Sequence, residues 1–275
     1  FADLFAMITH GILGKICAQI STEKSQVIQN GVIQAIPNLV SYQPIVELWT
    51  MCRLITAESD DRYAKLFAQD SAVIVKRLAS EGQYAAMNAL VQDYLKNWGF
   101  RCSGELTLVQ DNYIEKPENF IEMFKAYLNT KPQDPEILFK QKRNEQKQIL
   151  ATATMDILKN YKFNPLKAFA LVVSLRVLTS LTCFAVSCRE RVRLKQAMIY
   201  HHFKQACLEI ADNLMSSGLL VARNDIFYLE FPEITRVLAG EQTDWNYYQS
   251  LIATRKTAIE AAEEFPDNFY TYAGD

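Results

Sequence analysis

The stretch from Asn164 to Gly218 most constrains the fold, because it carries a helical pattern of more than fifty residues with no glycine and no proline beyond Pro165. Asn164 and Pro165 are typical of an N-cap and a first helical residue, and Gly218 is a natural stop. At 1.5 Å per residue this helix would measure about 80 Å. We therefore expect it to bend near Ser187 and Cys188, in a mainly α-helical protein.

The apolar run Ala168–Val186 within this helix is long enough to cross a bilayer. Arg176 lies near its middle, where insertion of a charge costs about 2.5–3.5 kcal/mol. The run also continues directly into the basic stretch "SCRERVRLKQ". These features favour a buried helix in a soluble core over a membrane span. A membrane-inserted helical protein is the alternative, and it would need detergent to stay in solution.

The rest of the chain is also dominated by helical periodicity. Segments 59–82 and 83–99 are predicted helices that Gly82 and Gly99 close, and alternation in "DIFYLEF" (225–231) indicates one short strand. We predict an irregular multi-helix domain with one long helix and at most one or two short strands. The linker-like "TKPQDPE" divides it into halves, 1–130 and 131–275, within one compact domain excised from a larger enzyme.

Composition narrows the classes of function. The net charge of −2 provides no basic field for nucleic acid. Six scattered cysteines, without a CxxC pair or histidines at ligand spacing, indicate reduced thiols in a cytoplasmic protein and no metal site. The chain lacks a GxxxxGK[ST], GxGxxG, HExxH or GxSxG motif. We therefore predict no catalytic residue within it.

The loop "FRCSGEL" interrupts the helices between Gly99 and Leu106. Its glycines allow close approach of the backbone to another group. Arg101 offers a planar fork suited to phosphate or carboxylate, and Glu105 is placed to orient that arginine or accept a proton. The alternative is structural: Arg101 and Glu105 pair with each other and only hold the loop in shape.

A second charged motif, "RERVRLKQ", begins at Arg189. Arg189 and Arg193 lie one helical turn apart, and Glu190 reaches Arg193 at i+3. This patch could face a phosphate or an acidic neighbouring domain. It could equally be a solvated helix face with routine ion pairs, each of which stabilises the fold by about 0.3 kcal/mol.

An apolar stripe precedes this motif on the same helix and includes Phe169, Val172 and Leu175. Such a stripe is typical of a protein core, although helices can also enclose a large apolar ligand. The adjacent pair His201 and His202 points in directions about 100° apart, so it cannot hold one metal ion jointly.

Three segments, in order, resemble phosphoenolpyruvate-synthase-like and rifampicin-phosphotransferase-like enzymes. The loop in "YLKNWGFRCSGELTLVQDNYIEKPENFIEMF" is similar to that family's "YGHRCPGELDL" type of loop. Upstream, "GVIQAIPNLVSYQPIVELWTMCRLI" resembles its glycine, serine, then helix segment. Downstream, "SCRERVRLKQAMIYHHFKQACLEIADNLMSSGLLVARNDIFYLEFPEI" resembles its Arg-Glu helix and D-x-F-[FY]-L-x-x-x-E signature.

The resemblance implies a division of labour. Such enzymes couple an ATP-grasp domain to a mobile phosphohistidine domain, and the helical region receives a small-molecule acceptor. Arg101, Arg189 and Arg193 would face the phosphohistidine, while Glu105 or Glu190 orients them or accepts the hydroxyl proton. ATP and Mg²⁺ would serve the full-length enzyme, and this chain alone would bind no cofactor and be inactive.

The resemblance also implies an apolar grip on the acceptor, for which Phe169, Val172 and Leu175 are the candidates. Phe100 departs from the family pattern, which has a histidine before the arginine. Altered or lost chemistry would follow if that histidine positions the substrate. The competing hypothesis is a helical docking module without a small-molecule pocket.

Overall fold

The computed structural model describes residues 1–57, 61–101, 108–241 and 245–263. Within these ranges the chain forms eleven α-helices and no strand, which confirms a mainly α fold. The helices are α1 (Ala2–Ile20), α2 (Ser25–Val32), α3 (Tyr42–Ala57), α4 (Arg62–Phe67), α5 (Ser71–Ser80), α6 (Ala85–Trp98), α7 (Pro117–Asn129), α8 (Pro135–Asn160), α9 (Pro165–Ser216), α10 (Phe231–Leu238) and α11 (Trp245–Glu263). Gly82–Tyr84 and Arg223–Tyr228 form short 3₁₀ helices.

The strand expected at 225–231 is wrong, because a local side-chain bond favours a tighter turn. The carboxylate of Asp225 accepts a hydrogen bond from the backbone amide of Ala222 at 3.2 Å. This bond closes the first turn of the 3₁₀ helix. Phe231 then begins α10.

Helix α9 begins and ends where its local chemistry predicts. The side-chain oxygen of Asn164 accepts a bond from the amide of Lys167 at 3.1 Å, as an N-cap does. At the other end Gly218 has φ +73°, and the amide of Leu219 donates to the carbonyl of Leu214 at 2.8 Å. This is a Schellman-type stop. The helix is continuous over 52 residues.

The described residues divide into two compact units. One lies within Phe1–Glu105 and Asp111–Ala197, and the other within Leu106–Gln110 and Met198–Asp275. Helix α9 supplies residues to both units. The predicted halves 1–130 and 131–275 stay a prediction.

The first unit contains two hydrophobic cores. Helices α3 to α7 build the first core around aromatic rings, among which Tyr94 and Phe120 lie 4.7 Å apart between ring centroids. Helices α1, α2, α8 and α9 build the second core, where Leu13, Ile157 and Leu175 are fully buried. Burying side chains of this size contributes about 1.5–3 kcal/mol each.

One face of α9 in the first unit stays exposed. Within the described residues, α9 is the one helix long and apolar enough to cross a bilayer, and core helices of soluble proteins can share this property. Of the 18 residues that form its most apolar stretch, 28% are buried. The exposed stripe consists of Leu166, Phe169, Val173, Val177 and Phe184. The expectation of a buried helix is wrong for this face, because the second core covers only the opposite side.

The second unit is held by partly buried polar contacts as well as an apolar core around Tyr248. The ammonium of Lys204, whose residue is only 3% exposed, donates to the carbonyl of Gln110 at 2.7 Å. Arg255 donates to the carboxylate of Glu233 at 2.6 Å. These bonds join segments that lie far apart in sequence.

Candidate functional site

Folding brings parts of the two charged motifs into one cleft in the first unit. Arg101, at the end of α6, and Glu190 and Arg193, on α9, line a space of about 180 Å³. The remaining wall consists of Val40, Ser41, Trp98 and Leu194. Two guanidinium groups and one carboxylate therefore share a small polar space, an arrangement suited to an anionic group.

The backbone at the end of α6 fixes the position of Arg101. The carbonyl of Arg101 accepts from the amide of Tyr113 at 3.3 Å, and that of Gly99 accepts from Ile114 at 3.1 Å. A methyl group at Gly99 would collide with the carbonyl oxygen of Leu95 and the side chain of Ile114. Glycine is therefore needed here for close approach, since its φ of −65° is one that any residue adopts.

The charge of Arg101 affects the pKa of a tyrosine in the adjacent core. Burial, with a smaller contribution from Tyr113, raises the pKa of the Tyr94 hydroxyl to about 12, and Arg101 acts in the opposite direction. Tyr94 itself is buried. The Tyr94 hydroxyl is therefore neutral at physiological pH and adds no charge near Arg101.

Arg189 does not line this cleft. Its Nε lies 3.2 Å from Oδ1 of Asp3 on α1, and Nε of Arg193 lies 4.0 Å from the same oxygen. The acidic start of α1 therefore competes for the arginines of the RERVR motif. Arg189 is tied to it more closely than Arg193.

Two larger hollows extend from the cleft in sequence: the first adjoins the cleft along the segment between α2 and α3, and the second adjoins only the first. The first, of about 460 Å³, shares Val40 with the cleft and is also lined by Ile36, Pro37, Asn38, Leu39, Tyr42, Gln43, Phe139 and Arg191. The second, of about 600 Å³, shares Tyr42 and Phe139 with the first. Its other walls are Ala35, Ile45, Tyr127, Thr130, Lys131, Pro132, Gln133, Pro135, Leu138 and Lys142. We call the cleft and the two hollows together the groove.

The backbone of the groove carries unusual conformations. Among the described residues, the non-glycine positions with positive φ are Ala35 (51°), Asn38 (58°) and Lys131 (50°). All three line one of the two hollows. Left-handed backbone at residues other than glycine is costly and clusters at binding sites.

The apolar candidates from the sequence lie elsewhere. Leu175 is completely buried in the second core, Val172 packs against that core, and Phe169 is 68% exposed on the α9 stripe. None of the three lines the groove. Glu105 lies outside the described residues, so its predicted role stays a prediction.

Sequence reasoning missed the apolar part of the groove. The turn at Pro37 and Asn38 was recognisable, but a turn alone does not indicate a site. The rings of Tyr42 and Phe139 lie 5.5 Å apart although nearly a hundred residues separate them in sequence. As for metals, the part of the chain that the structure describes holds no group of three or more His, Cys, Asp or Glu side chains placed to share an ion.

Comparison with known proteins identifies the family. The sequence model of the rifampicin phosphotransferase fourth domain matches residues 3–190. The chain belongs to this family. It is 28% identical over 187 residues to a rifampicin phosphotransferase of Bacillus subtilis (strain 168), covering 67% of this chain and 21% of the relative. A rifampicin phosphotransferase of Bacillus cereus (strain ATCC 14579) is 24% identical over 186 residues, with 67% and 20% covered.

The chain thus spans about a fifth of the length of the curated relatives that it matches. The family match includes Arg101, Arg189 and Glu190 and stops before Arg193. The expected membership in the rifampicin-phosphotransferase-like group is confirmed. The resemblance drawn for residues 191–234 lies beyond the matched range and stays a prediction.

Proposed function

We propose that this chain is the acceptor-binding helical domain of a multidomain, ATP-dependent phosphotransferase, which passes phosphate through a phosphohistidine domain to a hydroxyl of a small molecule. The observation that carries the proposal is the groove. In it, a cleft with Arg101, Glu190 and Arg193 adjoins a mostly apolar hollow, which in turn adjoins a second one. Three relatives bear the name rifampicin phosphotransferase, which supports a rifamycin-like acceptor.

The cleft has the charges that phosphoryl transfer needs. Transfer depends on positioning and charge compensation rather than on covalent help from the receiving domain. In the proposal, Arg101 and Arg193 compensate the charge of the arriving phosphoryl group. Glu190 orients them or accepts the proton of the acceptor hydroxyl. Glu105 keeps its predicted role of orienting Arg101 or accepting that proton.

The apolar hollows supply the grip on the acceptor. Pockets for drug-sized ligands measure about 300–1,000 Å³ and are mostly apolar with a few polar groups. Both hollows fall in that range, at about 460 and 600 Å³. ATP and Mg²⁺ belong, in this proposal, to the other domains of a cytoplasmic enzyme, and this chain binds neither.

The decisive test separates the two half-reactions in the full-length enzyme. Arg101→Ala should lower transfer from phosphohistidine to rifampicin by about 100-fold, the loss typical of removing one charge-stabilising donor. It should leave ATP-dependent phosphorylation of the histidine unchanged. Arg143→Ala, an exposed arginine on α8 outside the groove, is the matched control. Equal loss of both half-reactions in Arg101→Ala would contradict the proposal.

A docking module is the second candidate, and the exposed stripe on α9 favours it. Large apolar patches on soluble proteins usually meet a partner. The match covers only about a fifth of the length of the relatives, so further domains of one polypeptide are the candidate partner. Phe169→Asp with Val173→Asp in the full-length enzyme distinguishes the candidates. If the chain serves only to dock, transfer is lost and the isolated chain binds no rifampicin.

A further inference from the structure

We propose that the 600 Å³ hollow is a second compartment of the acceptor site, which holds the part of the acceptor remote from its reacting hydroxyl. This inference rests on the proposed function and defines the class of substrate. The acceptor is an elongated, largely apolar molecule with a hydroxyl near one end and a further apolar or aromatic part. The first hollow alone would hold only the portion next to the cleft.

The shape and lining of this hollow are those of a ligand site. Its volume of about 600 Å³ is the largest of the three cavities in the groove. Apolar and aromatic side chains form most of the wall, with Ile45 from α3, Tyr127 from α7 and Leu138 from α8. The hollow is open to solvent, and side chains from three helices together offer contact area to a ligand.

The two hollows meet at the Tyr42–Phe139 ring pair. The ring centroids are 5.5 Å apart and the planes are inclined by 48°, a tilted contact typical of aromatic pairs. Both rings line both hollows, and both residues are only half-buried. A molecule that runs from the cleft towards Lys131 would therefore cross this pair and contact both rings.

Backbone conformation supports a site on each side of the pair. Ala35 and Lys131, with φ of 51° and 50°, line the second hollow, and Asn38, with φ of 58°, lines the first. Packing must hold each of these left-handed residues in place, and such positions concentrate where a protein binds a ligand. Their distribution over both hollows is expected if one ligand occupies both.

The test fills the second hollow and measures binding of two probes. Leu138→Trp places an indole in the hollow, whereas Ile137→Trp, on the neighbouring exposed residue outside the groove, is the matched control. Rifampicin serves as the long probe and 1-naphthol as the short one, with affinities measured by calorimetry on the intact chain. Leu138→Trp should weaken rifampicin at least tenfold and leave 1-naphthol within twofold. Ile137→Trp should change neither.

Other outcomes separate this inference from the proposed function. Unchanged rifampicin affinity in Leu138→Trp would overturn the second compartment and leave the proposed function standing. Loss of both probes in a variant with an unaltered thermal transition would also overturn it, because the hollows would then act as one. Ile45→Trp approaches from the opposite wall and must reproduce the result. Failure of the unaltered chain to bind rifampicin would instead count against the proposed function.

Discussion

The guanidinium of Arg189 lies 3.2 Å from the carboxylate of Asp3, so this arginine is tied to the first helix rather than to the cleft. Arg193, one turn later on α9, lines the cleft and lies 4.0 Å from the same carboxylate. Two arginines that are equivalent in sequence pattern therefore have different surroundings. Their substitutions should have different effects.

We expect Arg189→Ala to be a mild stability variant. Both partners of its ion pair are substantially exposed, so the loss in free energy of unfolding should stay below about 1 kcal/mol. The rate of transfer to rifampicin in the full-length enzyme should change by less than about threefold, which corresponds to roughly 0.6 kcal/mol. Transfer assays beside Arg101→Ala check this. A loss as large as that of Arg101→Ala would place Arg189 among the phosphate-facing residues.

Gly99→Ala should both destabilise the first unit and weaken acceptor binding. The added methyl group meets the carbonyl oxygen of Leu95, which cannot move without breaking the end of α6. Overpacking of this kind costs about 1–3 kcal/mol. Denaturant unfolding measures that cost, and rifampicin calorimetry measures the displacement of Arg101. Normal stability and normal affinity together would show that the loop tolerates a side chain.

Two glycine substitutions should change the free energy of unfolding in opposite directions. Gly218→Ala forces a side chain into the left-handed region at φ +73° and should cost about 1–2 kcal/mol. Gly11→Ala lies within α1, where the new methyl group meets no atom within 4 Å. It should stabilise by about 0.5–1 kcal/mol, the helix-propensity difference. Chemical denaturation of both variants tests the pair, and the same sign for both would contradict it.

Acid should loosen the second unit through Glu233. The hydrogen bond from Arg255 holds the pKa of this carboxyl below its ordinary value of 4.5, against an opposing effect of burial. A lowered folded-state pKa means that the stabilisation is complete above the unfolded-state pKa and is lost as the pH falls through the folded-state pKa. Hydrogen-exchange protection of α11 should therefore decrease below about pH 4.5.

Glu233→Gln is the control for this effect. It should lower protection of α11 at neutral pH and flatten the decrease in acid, because the variant has no carboxyl to titrate at that position. An acid-induced decrease of the same size in Glu233→Gln would assign the effect to other groups.

Cys17 and Cys52 should resist alkylation in the folded chain. Burial raises the pKa of both thiols to about 11, and the thiolate is the reactive form. At pH 8 roughly one thousandth of either thiol is ionised, and access is also blocked. Mass spectrometry after iodoacetamide treatment should find both unmodified until guanidinium is added. Rapid labelling in native buffer would show that the cores open readily.

Local chemistry predicts helix ends well in this chain. The N-cap at Asn164 and the stop at Gly218 are both confirmed, because each depends on neighbouring residues only. The prediction of a single helix over 59–82 is wrong, because the chain forms two helices there, α4 and α5. Asp70 accepts a hydrogen bond from the amide of Ala72 at 2.9 Å and starts α5 as a new helix. An acidic N-cap inside an apolar pattern was the available signal.

The candidate site was predictable only in its charged part. Arg101, Glu190 and Arg193 belong to recognisable motifs, and a family resemblance pairs those motifs. The apolar walls come from α3, α7, α8 and the turn between α2 and α3, which carry no shared pattern. Long-range packing creates the groove, so periodicity, which reports one helix at a time, could not place it.

The walls of the two larger hollows include none of the fully buried members of the three hydrophobic cores. Substitutions there would remove little of the apolar area on which the stability of the domain depends. Under the proposed function, a lineage that inherits this scaffold can therefore accumulate changes in acceptor preference at low risk of unfolding. Diversification towards new acceptors would then be least constrained at these wall positions.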